Sequence, residues 1–441
     1  MLTQKQIIAY IRADKDERER RQRMYDYYNA RNDILKRVMM DPSKPNNRIS
    51  HGFARMIANT YAGYMHGEPV SYTGDEKLLE NLTAALNYND EQAENSQLGL
   101  DCAICGIAVE IMYTDEDSME RFARVNPIGC IDVRDGSVEN RLSDLIRYYD
   151  TTDIETNAVT HHVIVYDADY VTHYTSTGSI ESLTGLTIAS QEPHYFGDVP
   201  AVVYKNNTYG VGDFEGVITL IDAYDLMQSE SLNDQEYFSD AYLMLQGMDG
   251  TQPEDVAAMK ENRVLLLPSD ANAGWLIKQQ NDTLVENIKN RLNGDIHKYS
   301  GCPDMSDESF AGNASGVAIR YKLLQFEINA GIKEREFKRG LQRRIELLCN
   351  LWSVKGRGSF DWRNVQIRFK RALPENLLEL SQALSNLGNV LSNETKRTLL
   401  PIEIDEKEEA ARIIEQAQAN MSLYQIPTGH EMTEKDDGEQ T

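Results

Sequence analysis

No apolar run in this sequence approaches the roughly 18 residues that a membrane-spanning helix needs. The segment "VLLLP" at Val264 to Pro268 is typical of what there is, so no membrane partner is expected. The first residues, "MLTQKQIIAYIRADKDERERR", hold no apolar signal core, which argues against secretion. Cysteine is scarce, five in 441 residues, and this odd number in a large chain fits a reducing compartment such as a cytoplasm. Positive charge is short too. Lys and Arg total 45 against 70 Asp and Glu, a formal net charge of −25, which repels DNA phosphates and argues against sequence-specific DNA binding. The dipeptide Gly-Lys is absent, and with it any P-loop, whose Lys and hydroxyl serve nucleotide phosphates and magnesium.

What is present is ample for folding: 41% of residues are hydrophobic, and the length suits about two to four domains. Charge is uneven along the chain. Residues 1–55 carry 13 Lys/Arg against 7 Asp/Glu, although the whole is strongly acidic. Two readings stand: a solvated helix face, or a docking surface for an acidic partner.

The periodicity is mixed. Thr3 and Gln6 make a capping box for a charged helix through "KQIIAYIRADKDERERRQRMYDYY", which "DPSKPNNR" at Asp41 to Arg48 ends. Helices follow at about Ile49–His66, Asp75–Leu86 and Asp90–Ala108. Between Ile107 and Val203, short β-branched and aromatic runs separated by turn residues predict an antiparallel meander. "GDFEGVITLIDAYDLMQSESLNDQEYF" restarts helix, with Val217, Leu220, Ile221 and Tyr224 on one face. A strand, helix, strand, strand pattern then reads as a small insert before a helix at about Asp282–Tyr299. Apolar steps of three and four from Val317 to Trp352 predict one helix over Ser315–Trp352, about 57 Å long. Gly331 and Gly340 inside it mark kinks or close contacts. A pair of strands around "FDWRNVQIRFKR", three short helices from Pro374 to about Tyr424 and a polar, acidic, disordered tail complete the reading. The fold class is α+β.

Active-site motifs fail one after another. "YGVGDFEG" follows a strand and opens a helix, but Gly210, Gly212 and Gly216 miss the dinucleotide spacing, and Asp213 and Glu215 would repel a pyrophosphate. Those acids read instead as helix-capping groups. Cys102 and Cys105 have no second pair to complete a zinc site and read as buried small hydrophobes. His161 and His162 alternate faces of a strand. Ser315 sits in Gly-x-x-Ser-Gly, which is not a nucleophile elbow. No catalytic residue, metal or cofactor emerges.

One stretch asks for another explanation. "FAGNASGVAIRY" runs small, flexible residues straight into a long helix, as a phosphate-handling loop would, yet Gly312 and Gly316 are too close for a P-loop and no Lys directly follows them. Together with "NNRISHGFARMIANTYAGYMHGEPVSY", "VPAVVYKNNTYGVGDFEGVITLIDAYD", "YSGCPDMSDESFAGNASGVAIRYKLLQFEI" and "KEREFKRGLQRRIELL", it resembles the portal proteins of tailed double-stranded DNA phages. These blocks keep the family's order and cover most of residues 25–355. The C-terminal part, 374–441, matches only in general character.

The resemblance implies a ring of about a dozen subunits at the capsid vertex, assembled in the host cytoplasm, through which DNA is packaged and ejected. It implies an α/β wing at 1–212, a stem helix at 213–239, a clip at 240–281 and a second stem helix at 282–300. A tunnel loop follows at 301–316, then the long helix and remaining wing at 317–373, crown helices at 374–426 and an acidic tail at 427–441. Asp304, Asp307, Glu308, Ser309, Gly312, Asn313, Ser315 and Gly316 would face DNA in the tunnel loop. Asp249, Glu254, Asp255 and Lys260 would meet terminase or an adaptor at the clip. Implied partners are further copies of the chain, double-stranded DNA, the terminase large subunit, major capsid and scaffolding proteins, and a head-tail adaptor; no cofactor is implied. An autonomous translocase or nuclease would need a P-loop or a carboxylate cluster for metal. A head-completion adaptor ring would be much shorter.

Overall fold

In the computed structural model the described residues are 2–42, 44–177, 185–238, 242–246, 252, 254, 272–276, 282–305, 319, 321–372, 382, 385–386, 390 and 409–416. The chain divides into two units, Met1–Ala372 and Leu373–Thr441; in the second, residues 409–416 are helical.

The expected N-terminal helix is two, α1 (Gln4–Ala13) and α2 (Lys15–Tyr28). Thr3 and Gln6 form the capping box on α1. The pattern breaks at Asp14, whose carboxylate accepts from the Tyr148 hydroxyl at 2.7 Å. Then come α3 (Phe53–His66), a short strand β1 (Ser71–Thr73), α4 (Glu76–Tyr88) and α5 (Glu91–Cys105), which stops at Gly106 in the left-handed region.

The expected meander is two antiparallel sheets. β2 (Ile107–Thr114) pairs with β3 (Glu120–Val125) on one side and β9 (Ala201–Lys205) on the other. Between them in sequence, β4 (Cys130–Arg134), β5 (Leu142–Thr152), β6 (Val159–Tyr166), β7 (Tyr170–Thr177) and β8 (Thr187–Pro193) form a five-stranded meander. β4 and β8 are strands that the sequence reading missed. Successive residues of β5 and β6 serve opposite cores: Leu145, Ile164 and Tyr166 pack with Val109 and Ile111 of β2, whereas Ile146, Val163 and Val165 pack under Ile7 and Ile11 of α1. Burial of both faces explains why these strands read as unbroken apolar runs.

α6 (Ile218–Phe238) and α7 (Asp282–Ser300) pack on each other, and between them β10 (Tyr242–Gln246) pairs antiparallel with β11 (Asn272–Leu276). The rest of the insert lies outside the described residues. α8 (Leu324–Val354) follows a turn at Leu323, before which residues 319, 321 and 322 are already helical; residues 315–318 of the expected helix lie outside the described residues. Its Phe337, Leu341, Ile345, Leu348 and Trp352 fill the main core as the periodicity predicts, against Leu98, Phe122 and Tyr204. Gly340 is where α8 rides on the Tyr204 ring, with no room for a Cβ, while Gly331 meets open space. The expected pair of strands near Phe360 is a single one, β12 (Gln366–Arg368), preceded by a helical turn at Trp362–Asn364 and paired with the distant β1. A second core gathers Tyr27, Ile57, Tyr61, Phe214, Ile221, Ile296 and Phe326 from α2, α3, α6, α7 and α8.

Candidate functional site

The described surface offers no enclosed, apolar pocket with converging catalytic groups. Among the described residues no group of His, Cys, Asp and Glu is placed to hold a metal, and no helix is long and apolar enough to cross a membrane. Cys102, Cys105, Cys130, Cys302 and Cys349 are all buried and free, and burial pushes the Cys105 and Cys130 thiols up to about 12. His161 is buried against Asp150, while His162 stacks on Tyr149.

The organised polar chemistry lies along α6. Asp222, Asp225, Ser229, Asn233 and Glu236 step by three and four, which puts them on one face. That face looks at the N-terminal segment. Arg23 reaches Asp222 at 3.6 Å, and the Tyr27 hydroxyl donates to it at 2.5 Å. Asp225 accepts from Asn32 (2.6 Å), from the backbone N–H of His51 (3.0 Å) and pairs with His51 Nδ1 at 2.7 Å. Further along, the Ile49 N–H donates to Ser229, the Asn47 N–H to Asn233, and the Asn47 side chain to Glu236. Arg37 pairs with Glu230 at 2.5 Å. Burial raises the Asp225 carboxyl above its ordinary range, and the Asn32 and His51 donors hold it back. The acidic partner of the basic N-terminus is thus, at these positions, the chain's own α6.

The start of α6 corrects the capping reading. Asp213 is buried and paired with Lys333 of α8, whose ammonium lies 4.6 Å from the Tyr61 ring. Glu215 takes both of its oxygens to Arg20 of α2, at 2.7 and 2.9 Å. These acids tie α6 to two other helices instead of capping it. The glycines beside them also answer to packing: a Cβ on Gly212 would overlap the carbonyl of Ile104, at the end of α5.

Below α7, the chain turns at Gly301 and its first acid is caught. Asp304 accepts from Asn293 at 3.4 Å and lies 3.8 Å from His297 Nε2, both on α7. Of the other residues assigned to this loop, Asp307, Glu308, Ser309, Gly312, Asn313, Ser315 and Gly316 lie outside the described residues. In the insert, Glu254 is exposed, and Asp249, Asp255 and Lys260 lie outside the described residues. The structure therefore brings only Asp304 of these residues into a defined setting.

The sequence comparisons supply what the side chains do not. Residues 8–422 match the family described as phage portal protein, SPP1 Gp6-like. The chain belongs to that portal family. It is 24% identical over 439 residues to the portal protein of Bacillus phage SPP1, covering 93% of this chain and 87% of that one. It is 25% identical over 403 residues to the portal protein of Clostridium phage phiCD119, covering 85% and 87%. Portal proteins are structural components of the phage virion, and both relatives carry that name. A portal chain makes sense of a surface whose organised chemistry joins helices and forms no catalytic pocket. The α6 stripe escaped the sequence reading because apolar periodicity was the signal followed. The same steps of three and four among Asp, Ser and Asn were there to be found.

Proposed function

We propose that this chain assembles into a ring of about a dozen copies at one capsid vertex and forms the conduit for double-stranded DNA during packaging and ejection. The observation that carries the reading is an uncovered apolar stripe. Tyr321, Leu324, Ile328 and Ile332, spaced by three and four, are 74%, 53%, 50% and 36% exposed at the start of a helix whose later turns are buried. Leu226 on α6 and Leu284 and Ile288 on α7 are exposed as well. Such helix faces call for cover from neighbouring subunits. In this reading the wing is 1–212, the stem helices 213–239 and 282–300, the clip 240–281, the tunnel loop 301–316, the long helix and remaining wing 317–373, the crown 374–426 and the acidic tail 427–441.

The clip, with Asp249, Glu254, Asp255 and Lys260, docks the terminase and later a head-tail adaptor. The terminase, not this chain, supplies ATP hydrolysis. Capsid and scaffolding proteins surround the ring. Mass photometry across protein and salt concentrations tests the assembly: a discrete species near twelve chain masses is expected, and a monomer throughout would sink it.

A further inference from the structure

A groove of about 800 Å³ runs between α8 and the outer side of β9, and basic side chains outnumber acidic ones in its lining. Arg134, Arg141, Lys205, Arg339, Arg343 and Arg363 line it against four carboxylates, Glu139, Asp198, Glu336 and Glu346. Each carboxylate is already paired with an arginine: Glu139 with Arg141, Glu336 with Arg339, and Asp198 and Glu346 both with Arg343. The guanidinia of Arg141, Arg339 and Arg363 stand exposed at the rim. Their partners are two or three residues away in sequence, and exposed pairs of this kind are weak enough to be exchanged. Its floor is the free edge of β9 from Ala201 to Lys205, with Ala201 itself fully buried.

The chain carries the complement of this groove elsewhere. The β5–β6 hairpin ends in Asp153, Ile154 and Glu155, held by hydrogen bonds from the Glu155 and Thr156 N–H groups to Asp153. Ile154 is 95% exposed at the tip, and the last four residues of β5 are exposed below it. Groove and tip sit at opposite ends of one strand: Arg141 and Leu142 line the groove, and Thr152 ends the strand at the tip. Eleven residues of β5 separate them by about 33 Å. No chain can therefore place its own tip in its own groove.

We propose that the groove receives the acidic hairpin tip of a second copy of this chain, with Asp153 and Glu155 pairing with the rim arginines. The contact is heterologous, head to tail, which is the kind that closes into rings. It rests on the ring reading above and names a contact that reading leaves unassigned. A phosphate backbone would carry negative charge past all four carboxylates, whereas the tip brings two acids, Asp153 and Glu155, to the rim.

Charge exchange tests it. The rim variant Arg339→Glu/Arg363→Glu and the tip variant Ile154→Lys/Glu155→Lys are each expected to raise the protein concentration needed for assembly at least tenfold by mass photometry. Combining them should recover part of the loss. Independently, Ile154→Cys with Arg339→Cys, treated with a short bismaleimide, should give a ladder of covalent multimers, since the five native cysteines are buried. Wild-type rings whose rim and tip variants assemble normally, with no ladder, overturn this inference alone. A wild-type chain that stays monomeric overturns the ring reading as well. Loss of labelled-DNA binding by the rim variant with assembly unchanged gives the groove to nucleic acid, and overturns the proposal too.

Discussion

Arg344 carries a positive charge where water does not reach. It donates to Glu110 through Nε (2.9 Å) and a terminal nitrogen (2.7 Å) and to Asn95 at 2.9 Å, with Glu91 3.4 Å away. Burial works against its charge, yet the Glu110 carboxylate keeps it protonated far into the basic range. Arg344→Met leaves Glu110 buried without a countercharge and is expected to cost about 3–5 kcal/mol in urea denaturation. Adding Glu110→Leu should return part of that, because the buried carboxylate goes with its arginine, while the Tyr204 hydroxyl, Asn95 and Glu91 each lose a partner. His66 is the opposite case. Burial, with Lys333 and Arg371 nearby, lowers it from 6.5 to about 3. The folded state thus keeps it neutral while the unfolded chain takes a proton, so its contribution is intact above pH 6.5 and is lost as pH falls toward 3. The difference in stability between His66→Phe and wild type should grow in the variant's favour over that window, as melts at pH 7 and pH 4.5 would reveal. A constant difference would contradict the assignment.

At the level of elements, α6 is held by a polar stripe beside the apolar face that Ile218 and Ile221 give to the core. Removing Asp225 leaves three donors from Asn32 and His51 without their acceptor. Asp225→Ala should cost about 2–3 kcal/mol. Hydrogen exchange should speed up on both sides of the contact, in residues 30–51 and in 222–236; acceleration on α6 alone would show that the N-terminal segment is held by other means. The seat of α8 on β9 depends on Gly340. Gly340→Ala drives a methyl group into the Tyr204 ring and is expected to destabilise by about 1–3 kcal/mol even though alanine favours helix. An unchanged or raised melting temperature would mean that the ring can step aside.

For the whole molecule, the net charge of −25 would be repeated in every subunit of the proposed ring. An acidic channel leaves DNA mobile where a basic one would hold it by counterion release. At 10 Å in water a charge pair is worth about 0.4 kcal/mol before screening, so the effect comes from repetition around the ring. Asp304 is tied to Asn293 and His297. Asp304→Lys alone should lower ring stability with little effect on DNA passage. Asp307→Lys/Glu308→Lys should leave rings intact and slow packaging most at low salt. Packaging at the wild-type rate by intact double-Lys rings would remove these two acids from the channel.

Local order was legible in the sequence wherever neighbours along the chain decide it. The capping box at Thr3, the helix that became α7, most strands between Ile107 and Val203, the core positions of α8 and the burial of Cys102 and Cys105 all follow from patterns a few residues wide, because backbone geometry sets their periods. The order of conserved-looking blocks that marks the portal family was written there too. Partners far apart in sequence were decided only by tertiary structure. Asp213 and Glu215 look like caps until Lys333 and Arg20 are brought to them, and the basic N-terminus looks solvated until α6 lies against it. The split of one expected meander into two sheets, with β9 returning to β2, and the pairing of β1 with β12 have the same origin. A hydrogen bond or ion pair depends on which groups the fold places within reach, and periodicity along one segment carries no information about the segment that comes to face it.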